Sequence, residues 1–467
     1  MNRRTFLKTG AATAVAAGGG WRFASPVAAS EMASPRSGQK PRNIIFLVSD
    51  GMSSGTLSIA DQYLRWRDGR PSHWIRLYEE GKVTRGLMDT ASLNNIVTDS
   101  AAAASAWGCG HRVNNDSVNI GPDGEVYEPL LVTAKKLGKA TGLVTTATVT
   151  HATPAGFAAN VSRRWHENGI AVQYIEREID LLLGGGRNHF DPSHRNDERD
   201  LLGESVEAGY KLVTNRSELQ SAAANGATQM LGLFADGHIP YELDRIHDDK
   251  LAATVPSLAD MTRAGLRVLN QNPNGFVVQI EGARVDHAAH SNDVGGLVFD
   301  QLAFDDAVGE AVEFAEAAGD TLVIVTTDHG NGNPGLNSGW QGGRYRFEVL
   351  SRFVGTHDAI FSRIDEESSL GTIWEVIGEV TKADVTRERA KLLQDALQGR
   401  YEAPYHRSST PGVLLGQILA NETDIGWAGR RHTSDHVELA ALGPGSDGIR
   451  AFMKNTDVYD LMVNTWA

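Results

Sequence analysis

Several stretches of the chain are apolar at nearly every position for about the length of a strand, and each ends in polar or ionisable residues. They are Asn43-Ile44-Ile45-Phe46-Leu47-Val48-Ser49 running into Asp50-Gly51, Thr141 to Thr146, Gly275 to Glu281, and Thr321 to Thr327 running into Asp328. Unbroken runs of this kind fit parallel strands buried on both faces. Helical patterns lie between them, for instance Leu258 to Leu269 and Leu297 to Ala317. Strand and helix in alternation predict an α/β fold: a three-layer, wound, mostly parallel central sheet with helices on both faces. Ligands of such a sheet bind beyond the carboxyl ends of its strands, and Asp50, Glu281 and Asp328 fall there.

The first residues follow a different pattern. Asn2-Arg3-Arg4-Thr5-Phe6-Leu7-Lys8 is a twin-arginine sequence, followed by a short apolar run from Ala11 to Gly18 and a small-residue exit at Val27-Ala28-Ala29. Residues 1–29 therefore read as a signal peptide of the twin-arginine route, with a periplasmic or extracellular destination. That route carries proteins that have already folded. Residues 30–41, with Pro35, Gly38 and Pro41, read as a linker, and 42–467 as a single domain. Within it, residues 340–405 are polar and locally helical and read as an insertion beside the active site. No later segment is long and apolar enough to span a membrane, so no stable membrane insertion is expected.

Charge narrows the chemistry. The formal net charge of −14 becomes about −18 once Arg3, Arg4, Lys8 and Arg22 leave with the leader. That argues against nucleic acid as a partner, and attraction of an anion then needs a local cationic site such as bound metal. Cys109 is the only cysteine, which excludes an intrachain disulfide and a cysteine-rich metal cage. Imidazole and carboxylate must supply any ligands.

Such groups stand at several places. In Glu281-Gly282-Ala283-Arg284-Val285-Asp286-His287-Ala288-Ala289-His290, Asp286 and His290 are four apart, so one helical turn would put both on one face. The same spacing also fits a capped helix start with a surface histidine. Asp328-His329 ends a strand and leads into Gly330-Asn331-Gly332-Asn333, and Arg431-His432-Thr433-Ser434-Asp435-His436 precedes the apolar run Val437 to Leu442. In Thr98-Asp99-Ser100-Ala101, a turn meets an alanine-rich helix. Ser100 there would have amides and the positive end of the helix dipole around its oxygen, suited to receiving phosphate. Either Asp99 or Ser100 could equally be only the helix cap.

Taken together, Asp50-Gly51-Met52, Asp99-Ser100-Ala101, His151-Ala152-Thr153-Pro154, Glu281 to His290, Asp328-His329 and His432-Thr433 resemble the alkaline phosphatase family in order, spacing and content. The resemblance covers nearly all of residues 42–450. It implies a phosphomonoesterase with Ser100 as nucleophile and a cluster of two zinc ions and one magnesium. By this resemblance Asp286, His290 and His432 would hold the first zinc, and Asp50, Asp328 and His329 the second. Asp50, Thr153 and Glu281 would hold the magnesium. Arg164, thirteen residues after His151, matches the arginine that clamps phosphate, with Arg163 as the near alternative.

His151 and His287 stand where some members have aspartate and lysine, and would be neighbours of the metals or of phosphate rather than assigned ligands. His436 has no counterpart and reads as a surface residue. The implied substrates are small phosphate monoesters, and the assembly is a monomer or homodimer. The competing readings are a phosphodiesterase or sulfatase of the same superfamily, or a non-catalytic exported protein that binds phosphate or metal. A sulfatase would need a proline after its modifiable residue, and Cys109-Gly110-His111-Arg112 lacks it.

Overall fold

The computed structural model describes residues 40–338, 346–405 and 410–466. The leader and most of the linker expected from the sequence lie outside them. Strands in chain order are β1 (Asn43–Ser49), β2 (Thr84–Asp89), β3 (Ala140–Thr148), β4 (Leu181–Gly185), β5 (Lys211–Val213), β6 (Met230–Leu233) and β7 (Phe276–Gly282). They continue with β8 (Thr321–Thr326), β9 (Gly330–Asn331), β10 (Pro334–Leu336), β11 (Ile425–Trp427), β12 (His432–Thr433), β13 (Val437–Leu442) and β14 (Phe452–Lys454). Ten of them form one sheet in the order β14-β2-β13-β8-β1-β7-β3-β4-β6-β5. The sheet is parallel except around β13, which runs antiparallel to both β8 and β2.

Successive side chains of a strand point to opposite faces, and here that alternation divides two cores. Ile44, Phe46 and Val48 of β1 join the core under helices Ser100–Cys109, Leu130–Lys136, Ala152–Ala158 and Asn455–Asn464. Ile45 and Leu47 join the core under helices His73–Glu79, Leu258–Leu269 and Val294–Ala318. Both faces are covered, so every residue of β1, β3, β7 and β8 is buried, which is why these strands read as continuous apolar runs. Phe46 packs its ring 5.0 Å from Trp107 and 5.2 Å from Phe157, tying the central strand to two helices of the first layer.

Those two helices meet backbone to backbone. A Cβ at Gly108 would collide with the carbonyl of Gly156, and one at Gly156 would collide with Ala104. Small residues on Ser100–Cys109 and Ala152–Ala158 therefore set how near Ser100 lies to His151 and Thr153. Helix Leu258–Leu269 starts with a reciprocal capping box, Ser257 with Asp260.

Helices Arg346–Leu350, His357–Phe361, Leu370–Thr381, Arg387–Leu397 and Pro411–Thr423 build a third apolar cluster. It packs on Ile59, Tyr63, Leu243, Val294 and Phe299. Its described part reaches the rim of the sheet through Asp358, which pairs with Arg284 at 3.4 Å.

Candidate metal centre and nucleophile

Parallel pairing in register brings the strand ends level. Val48 of β1 lies beside Glu281 of β7 and Thr326 of β8, and Thr145 of β3 lies on the other side of Glu281. Asp50 follows β1 directly and Asp328 follows β8 after Thr327, so carboxylates from separate strands meet at one rim. Asp286 and His290 come from helix Arg284–His290. His432 is delivered from far along the chain by the antiparallel pair β9 and β12, in which it lies opposite Asn331.

The rim holds three groups whose ligand atoms lie within 4.8 Å of one another: Asp286, His290 and His432; Asp50, Asp328 and His329; Asp50, His151 and Glu281. In the first, Asp286 Oδ2 is 3.2 Å from His290 Nε2 and Oδ1 is 3.6 Å from His432 Nε2. In the second, His329 Nε2 is 3.0 Å from Asp328 Oδ2 and 3.7 Å from Asp50 Oδ1.

In the third group His151 Nδ1 stands 4.0 Å from Glu281 Oε1. The resemblance names Thr153 as the ligand there and His151 as a neighbour; the structure brings both to Asp50. The Thr153 hydroxyl is 3.5 Å from Asp50 Oδ2. Asp50 belongs to two groups, as a bridging carboxylate would.

These residues fit cations. Asp50 Oδ1, Glu281 Oε1, Asp328 Oδ2 and His151 Nδ1 are buried and accept or donate no hydrogen bond among the described residues. Buried polar atoms without partners are costly, and cations in the second and third groups would satisfy the three carboxylate oxygens. Burial, then the neighbouring Asp328, Asp286 and Glu281, push the Asp50 carboxyl well above the usual range. Burial raises Glu281 to about 7 against the hydroxyl of Thr145, which donates to it at 2.5 Å. Burial also raises Asp286, but His290 and His432 outweigh it and hold that carboxyl well below its ordinary value. His432 is pushed down to about 4 by burial and by His329.

Ser100 is the first residue of its helix and 2 % exposed, with its Oγ 3.3 Å from His329 Nε2. The cap itself is Asp99, whose Oδ1 accepts from the Ala102 amide at 3.0 Å. The capping reading of this segment therefore holds for Asp99 and leaves the Ser100 hydroxyl free of that duty. Asp99 Oδ2 also accepts from Arg164 Nη1 at 3.1 Å, while Arg164 Nη2 donates to His151 Nε2 at 3.0 Å. Arg164 is buried by this pairing and Arg163 is exposed. His287 accepts from Arg284 Nη1 at 2.9 Å, and its ring centre is 4.6 Å from that of His238. His436 is exposed, its ring edge-on to Phe452.

Sequence reasoning missed three contributors. Asn331 donates to Asp286 Oδ1 at 2.7 Å and so orients that carboxylate. Arg284 stands inside the segment already singled out, where its contact with His287 could have been asked about. His238 left no local signal; it reaches the rim because the Thr148 amide donates to its Nδ1 at 3.1 Å.

Comparison with known proteins agrees with this geometry. A family model described as alkaline phosphatase matches residues 41–466. Alkaline phosphatase 4 of Bacillus subtilis (strain 168) is 33% identical over 427 residues, covering 89% of this chain and 87% of that protein. Alkaline phosphatase 3 of the same organism is 30% identical over 427 residues with the same coverage. The crystal structure of Thermus thermophilus alkaline phosphatase superposes with a TM-score of 0.86 at 34% identity, covering 92% of each chain. The chain thus belongs to the alkaline phosphatase family, metal-dependent hydrolases of phosphate monoesters.

Proposed function

We propose that the chain hydrolyses small phosphate monoesters by two in-line displacements at Ser100, through a phosphoserine. Asp286, His290 and His432 would hold one zinc ion, Asp50, Asp328 and His329 a second, and Asp50, Thr153 and Glu281, with His151 beside them, a magnesium ion. When bound, these ions supply the positive charge that favours deprotonated Ser100 and offsets charge on the departing alkoxide.

The chain's own residues do the rest. Ser100 Oγ attacks phosphorus as the ester oxygen leaves and takes a proton from water. Water then attacks the phosphoserine from the side the alcohol vacated, returning Ser100 and releasing phosphate. Arg164, whose guanidinium can make two parallel hydrogen bonds, holds the oxygens that carry charge between these states. Asp99 keeps Arg164 in place while capping the helix that presents Ser100.

One observation carries the reading: the Ser100 hydroxyl sits at a helix start, 3.3 Å from an imidazole shared with two buried carboxylates. We also propose export by the twin-arginine route to a periplasmic or extracellular site, on the pattern of Arg3-Arg4 and the apolar run after it. Brief reaction with labelled phosphate, acid quench and peptide mapping test the mechanism. Label on Ser100 is expected; label on another residue, or none with turnover intact, would sink it.

A further inference from the structure

Arg284 opens the helix that presents Asp286 and His290, and it is 9% exposed. Its guanidinium carbon lies 3.6 Å from the ring centre of Tyr241, so the ring covers one side of the charge. Nη1 donates to His287 Nδ1 at 2.9 Å and Nη2 to Asp358 Oδ2 at 3.4 Å. Nε is buried and has no partner among the described residues. Burying a guanidinium is costly, and the one carboxylate it meets among the described residues belongs to a side chain 68% exposed. That placement needs a reason beyond stability.

The contact with His287 supplies one. A guanidinium only donates hydrogen bonds, so Nδ1 of His287 must keep its lone pair and the ring proton must sit on Nε2. Nε2 makes no hydrogen bond among the described residues. The ring centre is 5.7 Å from that of His151, which accepts from Arg164, the arginine assigned to phosphate. Arg164 is held in turn by Asp99, the cap of the Ser100 helix. His287 is thus an N–H donor of fixed tautomer beside the phosphate clamp.

Helix His357–Phe361 completes the support. The Thr356 amide and hydroxyl donate to Asp244 at 2.8 and 2.6 Å, and the His357 amide donates to Asp293 at 2.7 Å. Those bonds fix the backbone that carries Asp358.

We propose that Arg284 is a positioning residue: it fixes His287 as an Nε2–H donor to an oxygen of the bound phosphate, and Asp358 steadies Arg284. The inference rests on phosphate binding at Arg164.

The test uses the zinc- and magnesium-loaded protein, as wild type, Arg284→Met, Arg284→Lys, Asp358→Asn, His287→Ala and the double variant Arg284→Met/His287→Ala. Imidazole nitrogen NMR, with His287→Ala supplying the assignment, should show the His287 proton on Nε2 in wild type and shared between both nitrogens in Arg284→Met. The inhibition constant of inorganic phosphate and KM for nitrophenyl phosphate should rise roughly tenfold in Arg284→Met, with kcat changed less. Arg284→Lys should recover part of this, and Asp358→Asn, at an exposed pair, should cost about twofold. The double variant should be no worse than His287→Ala, because Arg284 acts through that ring. A wild-type proton on Nδ1, losses that add in the double variant, or unchanged phosphate inhibition in Arg284→Met would each overturn the proposal. If Arg284→Met does not fold, the wild-type spectrum and Arg284→Lys still decide. Absence of nitrophenyl phosphate turnover in wild type would instead strike the phosphatase reading, which the nitrogen spectrum does not touch.

Discussion

The Nε2 atoms of His290 and His432 face each other at 3.1 Å. Each ring gives its Nδ1 proton to a main-chain carbonyl, of Arg430 and of Thr98, both at 2.9 Å. Two ring lone pairs and the Asp286 carboxylate consequently converge on one point. A cation between these groups would satisfy both lone pairs and the carboxylate at once.

Removal of metal should therefore cost stability as well as activity. Thermal unfolding after exhaustive chelation is expected at a lower temperature than in the zinc-loaded protein. A ligand at a hundredfold its Kd contributes about 2.7 kcal/mol. In His432→Ala the zinc-dependent gain should shrink. A melting temperature indifferent to chelation in wild type would contradict the arrangement.

Glu281 gives a pH signature in the metal-free protein. Its carboxyl is raised to about 7 in the folded chain against an ordinary value of 4.5. The folded state therefore holds this proton more tightly than the unfolded state. The resulting stability is complete below about 4.5 and is lost as pH rises through about 7. Metal-free Glu281→Gln lacks this loss, so wild type should fall behind it across that window in denaturant titrations. Parallel curves for the two proteins would refute the assignment.

Ser100→Ala should keep its fold and metal content and lose on the order of 10³-fold or more in kcat. The check is steady-state kinetics with nitrophenyl phosphate alongside metal analysis. Turnover near wild type would remove Ser100 from the mechanism.

Arg164→Ala should lower kcat/KM by roughly 10²-fold or more and weaken inhibition by inorganic phosphate, because a positioned charged donor is lost. Lysine at 164 should rescue little, since it cannot form two parallel hydrogen bonds. Arg163→Ala, at an exposed position, should change both parameters little. The reverse ranking of 163 and 164 would reassign the clamp.

Gly51 has φ +68°, and a Cβ there would collide with the side chain of Asp286. Gly51→Ala should destabilise the protein by about 1–3 kcal/mol through left-handed strain and overpacking. It should also displace Asp286 and loosen zinc, read by competition with a fluorescent chelator. Unchanged zinc affinity would show that the carboxylate is held some other way.

What was legible in the sequence was local. β1, β3, β7 and β8 announce themselves because burial on both faces favours apolar residues along the middle of each run, and helix Leu258–Leu269 because its apolar positions repeat at the helical period. Asp50, Glu281 and Asp328 could be placed at strand ends for the same reason, and the family pattern picked Arg164 over Arg163. Tertiary pairing decided the rest. His432 meets His290 only because β12 pairs with β9, and His238 reaches the rim through an amide ninety residues away in sequence. Asn331 turns Asp286, and His151 joins Asp50 and Glu281, through contacts that no local period records. Periodicity reports which side of an element is dry; which distant side chains share a cation depends on how the whole sheet closes.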